Sequence, residues 1–196
     1  MSSPEVVKIR PWTRQTTLRL ILSALFLAIG YVLPFATGQI REIGNMLLPM
    51  HLPVFLCGMI CGWKYGAAVG MILPITRSLI FGMPVLYPAA IAMSAELMTY
   101  GLLAGLIYGN ARKKNLLSIY TGLLIAMVAG RLAWGGAQLI LLGIGGTAFS
   151  WKAFMAGALL QAVPGIVLQL ILIPAVMMTL QKIHVLPFRE GGKEMR

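Results

Sequence analysis

Three ionisable side chains stand inside apolar segments of this chain. They are Arg77 in GMILPITRSLIFG, Glu96 in AIAMSAELMTYG and Arg131 in IAMVAGRLAWGG. Charges at membrane depth are costly, so they face a bundle interior, pair with one another and mark ligand or ion sites. Two cations against one carboxylate leave a surplus positive charge, which implies a pocket for a small anion. Arginine suits that task because its planar fork grips a carboxylate or phosphate at two points. Arg131 is the stronger ligand candidate, since Trp134 and Gln138 follow it at helical spacing and give the same face an aromatic platform and an amide. The competing expectation is a plain Arg77–Glu96–Arg131 ion network locking three helices. The two coexist if Glu96 holds one arginine and leaves the other for the ligand.

Further candidates surround these three. His51, in LLPMHLP, stands at the outer mouth of an apolar segment, where a lone histidine is more often a hydrogen-bonding anchor than a ligand contact. Asn45 is a candidate pocket lid. Gln161 and Gln169 are eight apart and share an inward helix face. Tyr87 and Trp151 read equally as interfacial aromatics or ligand contacts. Cys57 and Cys61 are four apart on one helix face, a spacing that matches no C-x-x-C redox or zinc motif, and read as small packing residues. The chain has no aspartate, which excludes a Ser–His–Asp triad, and neither H-E-x-x-H nor a Walker A motif occurs. No catalytic residue, metal site or cofactor is expected, and the chain reads as a non-enzyme.

The elements that must position these residues follow from composition. The 196 residues are 59% hydrophobic and 11% charged, with a mean hydropathy of +0.85. Soluble domains have about 25% charged residues, and a membrane-crossing helix needs roughly 20 apolar ones. The pattern predicts an all-α membrane protein that forms a single transmembrane domain of six helices. These fall at about 18–36, 46–62, 66–82, 88–110, 115–142 and 153–181, preceded by a polar segment 1–17 and followed by a tail 182–196. Trp63-Lys64-Tyr65 reads as a tight turn, and Pro164 and Pro174 fall inside the last helix. Small residues at four-residue spacing, Gly58/Gly62, Gly66/Gly70, Gly101/Gly105/Gly109 and Gly122/Ala126/Gly130, predict close helix packing. At about 1.5 Å rise per residue, Arg77, Glu96 and Arg131 all fall in the outer half of a layer about 30 Å thick, within reach of one pocket.

The net charge of +11 follows topology and excludes a nucleic-acid partner. Lys8, Arg10, Arg14, Arg19, Lys64, Arg112, Lys113, Lys114, Lys182, Arg189, Lys193 and Arg196 mark alternate connections and both ends, against Arg41 and Lys152 on the others. Positive loops stay in the cytoplasm, so both termini are expected inside, with an even number of spans.

Taken together, the chain resembles the substrate-binding S components of energy-coupling factor vitamin transporters. The resemblance runs over nearly the whole chain. It rests on the size, the six spans, Ala24-x-x-x-Ala28 in the first helix, and LPMHLPVFLCGMICGWKYGAAVGMILP. That segment is similar to the family's run of a proline-bearing second helix, a G-x-x-x-G, an aromatic-basic turn and a glycine-rich third helix. The resemblance implies high-affinity capture of a micronutrient near the outer face of a bacterial cell membrane, under the loops after helices 1, 3 and 5. It also implies docking through Ala24 and Ala28 to a transmembrane T subunit carrying two ATPase subunits, followed by toppling in the membrane and inward release. The arginine-rich site disfavours a cation such as thiamine and favours a carboxylate or phosphate, pantothenate first, with folate and a pyridoxine-related compound open. The alternative is a stand-alone secondary transporter or channel for a small organic anion.

Overall fold

The computed structural model describes residues 11–37, 48–144 and 163–182. Six α-helices lie in these segments: α1 Pro11–Val32, α2 His51–Cys61, α3 Trp63–Phe81, α4 Ile91–Asn110, α5 Leu116–Ile144 and α6 Val163–Lys182. A 3-10 turn, Leu33–Thr37, extends α1. In a bilayer every backbone N–H and C=O must be satisfied within the protein, which a helix does locally. Among the described residues, four segments are long and apolar enough to cross a membrane: Gln15–Phe35, Leu86–Asn110, Leu116–Gly143 and Val163–Lys182. α2, with 11 residues, is a shorter apolar helix. α3 carries Lys64 and Arg77 within its 19 residues.

Several element boundaries differ from expectation for identifiable reasons. α1 begins at Pro11 rather than near residue 18. Proline is well suited to the first helical position, where its missing N–H costs nothing. α2 begins at His51 rather than near residue 46, with Pro53 in its first turn, where an N–H has no helical acceptor. The α2–α3 connection is the single residue Gly62 at φ 104°, whose N–H donates to the Gly58 carbonyl at 3.1 Å. Trp63-Lys64-Tyr65, expected as the turn, forms the first turn of α3 instead, with the Lys64 ammonium 5.5 Å from the Trp63 ring centroid. α3 closes on Gly82 at φ 71°. A wide helical turn, Leu86–Ala90, interrupted at Tyr87, leads into α4. Asn115 caps α5 by accepting from the Ser118 N–H at 3.1 Å. Pro174 lies inside α6 and Pro164 is its second residue. Residues 145–162 and 183–196, with the expected first part of helix 6 and the tail, lie outside the described residues.

α4 is the central element. It packs along α3 and α5 and across α2, while α1 lies against α2 and α3, and α6 touches α5 and α2. Glycines let the backbones of α2, α3 and α4 meet directly. A Cβ on Gly101 would strike the Gly66 carbonyl, one on Gly66 would lie 2.8 Å from the Gly101 oxygen, and one on Gly105 would lie 2.6 Å from the Gly58 oxygen. The expected small-residue packing is thus realised at these positions, and lipid gives helices no other comparable reason to approach. Gly109 and Gly62 face open space instead. Cys57 and Cys61 are free and buried, with the Cys57 thiol 3.6 Å from the Ser23 hydroxyl, as small packing residues should be.

Large apolar side chains cover the outside. Leu20, Ile21, Leu25 and Val32 on α1, Leu117, Val128, Leu132 and Leu139 on α5, and Ile171 on α6 are all exposed. That distribution suits a hydrocarbon solvent. Lys114, in the turn between α4 and α5, has its ammonium pKa lowered first by burial and then by the charge of Arg19. The N-terminal part of α1 and the α4–α5 turn therefore share one end of the bundle.

Candidate functional site

The second turn of α4 carries Glu96, 1% exposed. Three side chains from three helices converge on its Oε1. Arg131 of α5 donates through Nη1 at 2.9 Å. Tyr100, one turn further along α4, donates its hydroxyl at 2.7 Å. His51, the first residue of α2, places Nε2 3.7 Å away. The Tyr100 ring stacks on Phe55 with centroids 4.7 Å apart and tilts against His51 at 5.3 Å. Its place on the α5 side exists because residue 130 is glycine, where a Cβ would overlap the ring. Packing thus fixes the phenol, and the phenol fixes the carboxylate.

Several buried polar side-chain atoms make no hydrogen bond among the described residues. They include Nε and Nη2 of Arg131, both ring nitrogens of His51, Oε1 of Gln138 and Nε2 of Gln169. Buried polar groups without partners are uncommon in native structures, and each calls for a reason. Arg131 is the most telling. Its Nη1 is taken by Glu96, while Nε and Nη2, which form one side of the planar guanidinium, make no hydrogen bond among the described residues. That side is the two-donor edge that matches a carboxylate or phosphate.

Arg77 behaves differently, and the expectation of a shared three-charge pocket is corrected. Among the described residues Glu96 pairs with Arg131 and His51 and not with Arg77. Arg77, 3% exposed, donates through Nη1 to the Tyr31 carbonyl at 2.7 Å. Its guanidinium lies 5.3 Å from the Phe35 ring and 5.2 Å from the Phe81 ring. The neighbouring Thr76 hydroxyl hydrogen-bonds the Tyr31 hydroxyl at 2.6 Å. Helical phase turns Arg77 toward α1, where it fastens the end of α1 to α3. The charge surplus of two arginines over one glutamate, read from the sequence, does not exist at Glu96.

The other candidates divide as follows. His51 is buried, with Nε2 3.7 Å from Glu96 Oε1. Gln138 is buried two turns beyond Arg131 and Trp134 is half-buried between them. Gln169 is buried, as its inward face required. Tyr87 is exposed, with its hydroxyl on the Leu141 carbonyl, linking the α3–α4 connection to the end of α5. Ala24 and Ala28 are both exposed on α1. Asn45, Trp151 and Gln161 lie outside the described residues. The sequence reading missed Tyr100, although it placed Gly130, which seats the ring, on a packing face. The signal was the four-residue step from Glu96 to Tyr100, which puts a phenol on the carboxylate's own face.

The described residues form an all-helical bundle with an apolar exterior and an ion pair buried at Glu96. The family model described as "ECF transporter, substrate-specific component" matches residues 18–177, and the chain belongs to that family. No curated protein and no solved structure matches the chain.

Proposed function

We propose that this protein is the high-affinity binding subunit of an ATP-driven vitamin uptake system in a bacterial cell membrane. It takes a small organic anion, pantothenate in the first place, from the outer side. The observation that carries this reading is Arg131, held by Glu96 through one nitrogen while its two-donor edge makes no hydrogen bond among the described residues. Gln138, His51 and Gln169 supply further unpaired polar atoms for an oriented ligand. Both termini lie in the cytoplasm, and α2 and α3 complete six spans. The exposed small face at Ala24 and Ala28 meets the transmembrane partner, and two associated ATPases supply the energy, since the chain has no Walker A motif of its own.

The test is binding and uptake measured separately. The purified protein is analysed by mass spectrometry for small molecules carried through purification, and the ligand found is titrated against Arg131→Gln. The expected result is an organic acid whose affinity falls at least about 100-fold in the variant, in line with the 2–5 kcal/mol lost when one partner of a buried charge pair is removed. The isolated protein in liposomes binds the ligand and does not accumulate it. A co-purifying cation, or unchanged affinity in Arg131→Gln, would overturn the reading.

A further inference from the structure

The turn between α4 and α5 holds Arg112, Lys113 and Lys114 in a row, away from the Arg131 cluster. Lys114 is folded back, its ammonium 5.3 Å from the Tyr108 ring centroid. Arg112 and Lys113 are exposed and, with Asn110 at the end of α4, line an open groove of about 750 Å³ between the two helices. Leu106 and Ile107, one turn back along α4, and Leu117 of α5 give the same groove an apolar wall. Ser118 and Thr121 also line it, but their hydroxyls are spent on the Asn115 and Leu117 carbonyls, each at 2.8 Å. From Leu117 an exposed strip continues at helical spacing through Thr121, Leu124 and Val128. It rises about 16 Å, close to the roughly 15 Å of hydrocarbon in one leaflet. No segment of the chain brings a net negative charge to the two cations. Glu96 is the one acidic side chain among the described residues, and Arg131 holds it. The remaining glutamates fall in segments with at least as many cations: Glu5 with Lys8 and Arg10, Glu42 with Arg41, and Glu190 and Glu194 with Arg189, Lys193 and Arg196.

We propose that this groove holds one anionic phospholipid, with its phosphate on Arg112 and Lys113 and an acyl chain along residues 117–128 of α5. Basic pockets at the ends of membrane helices take lipid headgroups in this way. The guanidinium grips two phosphate oxygens, and the ammonium adds a compact point charge. Asn110 places an amide beside them for the rest of the headgroup. A zwitterionic lipid offers the same phosphate but carries its own ammonium, which the two cations repel. A soluble phosphate ester fills the basic end and leaves the apolar strip bare. An acidic protein uses the cations without the strip. The site lies at whichever membrane face the α4–α5 turn occupies, so the orientation of the chain does not enter.

The experiment offers the full chain, purified in a mild detergent, equimolar phosphatidylglycerol, phosphatidylethanolamine and phosphatidylcholine, and reads the retained lipid by native mass spectrometry. One phosphatidylglycerol per chain is expected, favoured over phosphatidylcholine by about thirtyfold, since each basic residue near a headgroup contributes about fivefold. Lys113→Gln should lower that preference about fivefold, and Arg112→Gln/Lys113→Gln should abolish it. Lys64→Gln, which removes a cation from α3 outside the groove, should leave it unchanged. Thr121→Trp, which fills the groove and keeps every charge, should abolish it. Glycerol phosphate at millimolar concentration should not displace the lipid. All the substituted positions are exposed, so the variants fold. The inference is overturned if the zwitterionic lipids are retained equally or if the preference survives Arg112→Gln/Lys113→Gln. It also fails if Lys64→Gln weakens retention as much as Lys113→Gln does, the mark of a diffuse surface field. Retention intact in Thr121→Trp, or displacement by glycerol phosphate, would reduce the site to its charges and remove the lipid. None of these results alters the reading of Arg131.

Discussion

At the residue scale, the central fact is that one carboxylate oxygen organises three helices. Tyr100 donates to it, Arg131 pairs with it, and His51 stands near it. Removing the Tyr100 hydroxyl deletes a hydrogen bond to a charged group, worth about 1.5–3 kcal/mol. Tyr100→Phe is therefore expected to lower the thermal unfolding midpoint while leaving a folded protein. Glu96→Gln should cost more, about 3–5 kcal/mol, because it strands the Arg131 charge in the core. The double variant Glu96→Gln/Arg131→Gln should be more stable than Glu96→Gln alone, since both charges leave together. Thermal unfolding of the four proteins in one detergent checks the order. Arg77→Leu belongs to a different network, the Tyr31 carbonyl with Phe35 and Phe81. It should loosen α1 and lower stability, with the Kd of the identified ligand changed less than threefold.

At the element scale, the contacts of α2, α3 and α4 depend on absent side chains. Gly58, Gly66, Gly101 and Gly105 bring backbone against backbone, and overpacking such a contact costs about 1–3 kcal/mol or more. Gly101→Ala is expected to reduce folded yield sharply. Gly109→Ala, on the same helix with open space around it, should be neutral or mildly stabilising, because alanine is the better helix former. Size-exclusion recovery after solubilisation compares the pair. Gly130→Ala acts through the site: its methyl displaces the Tyr100 ring and with it the Glu96 carboxylate. It should therefore weaken ligand binding although residue 130 touches no ligand itself. Binding unchanged in a folded Gly130→Ala protein would contradict the positioning chain from glycine to phenol to carboxylate.

At the scale of the whole molecule, the proposed function gives two exposed surfaces different tasks. The exposed leucines, isoleucines and valines of α1, α5 and α6 face lipid, and no substitution among apolar residues there should matter greatly. Ala24 and Ala28 form a narrow small-residue strip within the exposed face of α1. A flat strip admits a second helix closely, and a bulky residue blocks that approach. Ala28→Trp is expected to abolish cellular uptake of the ligand in the presence of the partner subunits while the purified variant binds with unchanged Kd. Loss of both would place residue 28 in the folding of the bundle rather than in partner docking.

Much of this was legible from the chain alone. Apolar runs and their flanking basic residues marked a helical membrane protein, because a bilayer leaves the backbone few alternatives. Glycine spacing located the tight helix contacts at Gly58, Gly66, Gly70, Gly101 and Gly105, since four residues is nearly one turn, while Gly62 and Gly109 of the same series face open space. The prominence of Arg77, Glu96 and Arg131 was also visible, charges being rare at such depth. Which of them meet was not. Arg77 and Arg131 have the same chemistry and similar depth, and only the rotation of α3 against α1 and of α5 against α4 assigns one to aromatic rings and a carbonyl and the other to Glu96. Sequence fixes a side chain's phase on its own helix. The partner it finds depends on how neighbouring helices are turned, and that is set by packing contacts, such as Gly130 under Tyr100, between residues far apart along the chain.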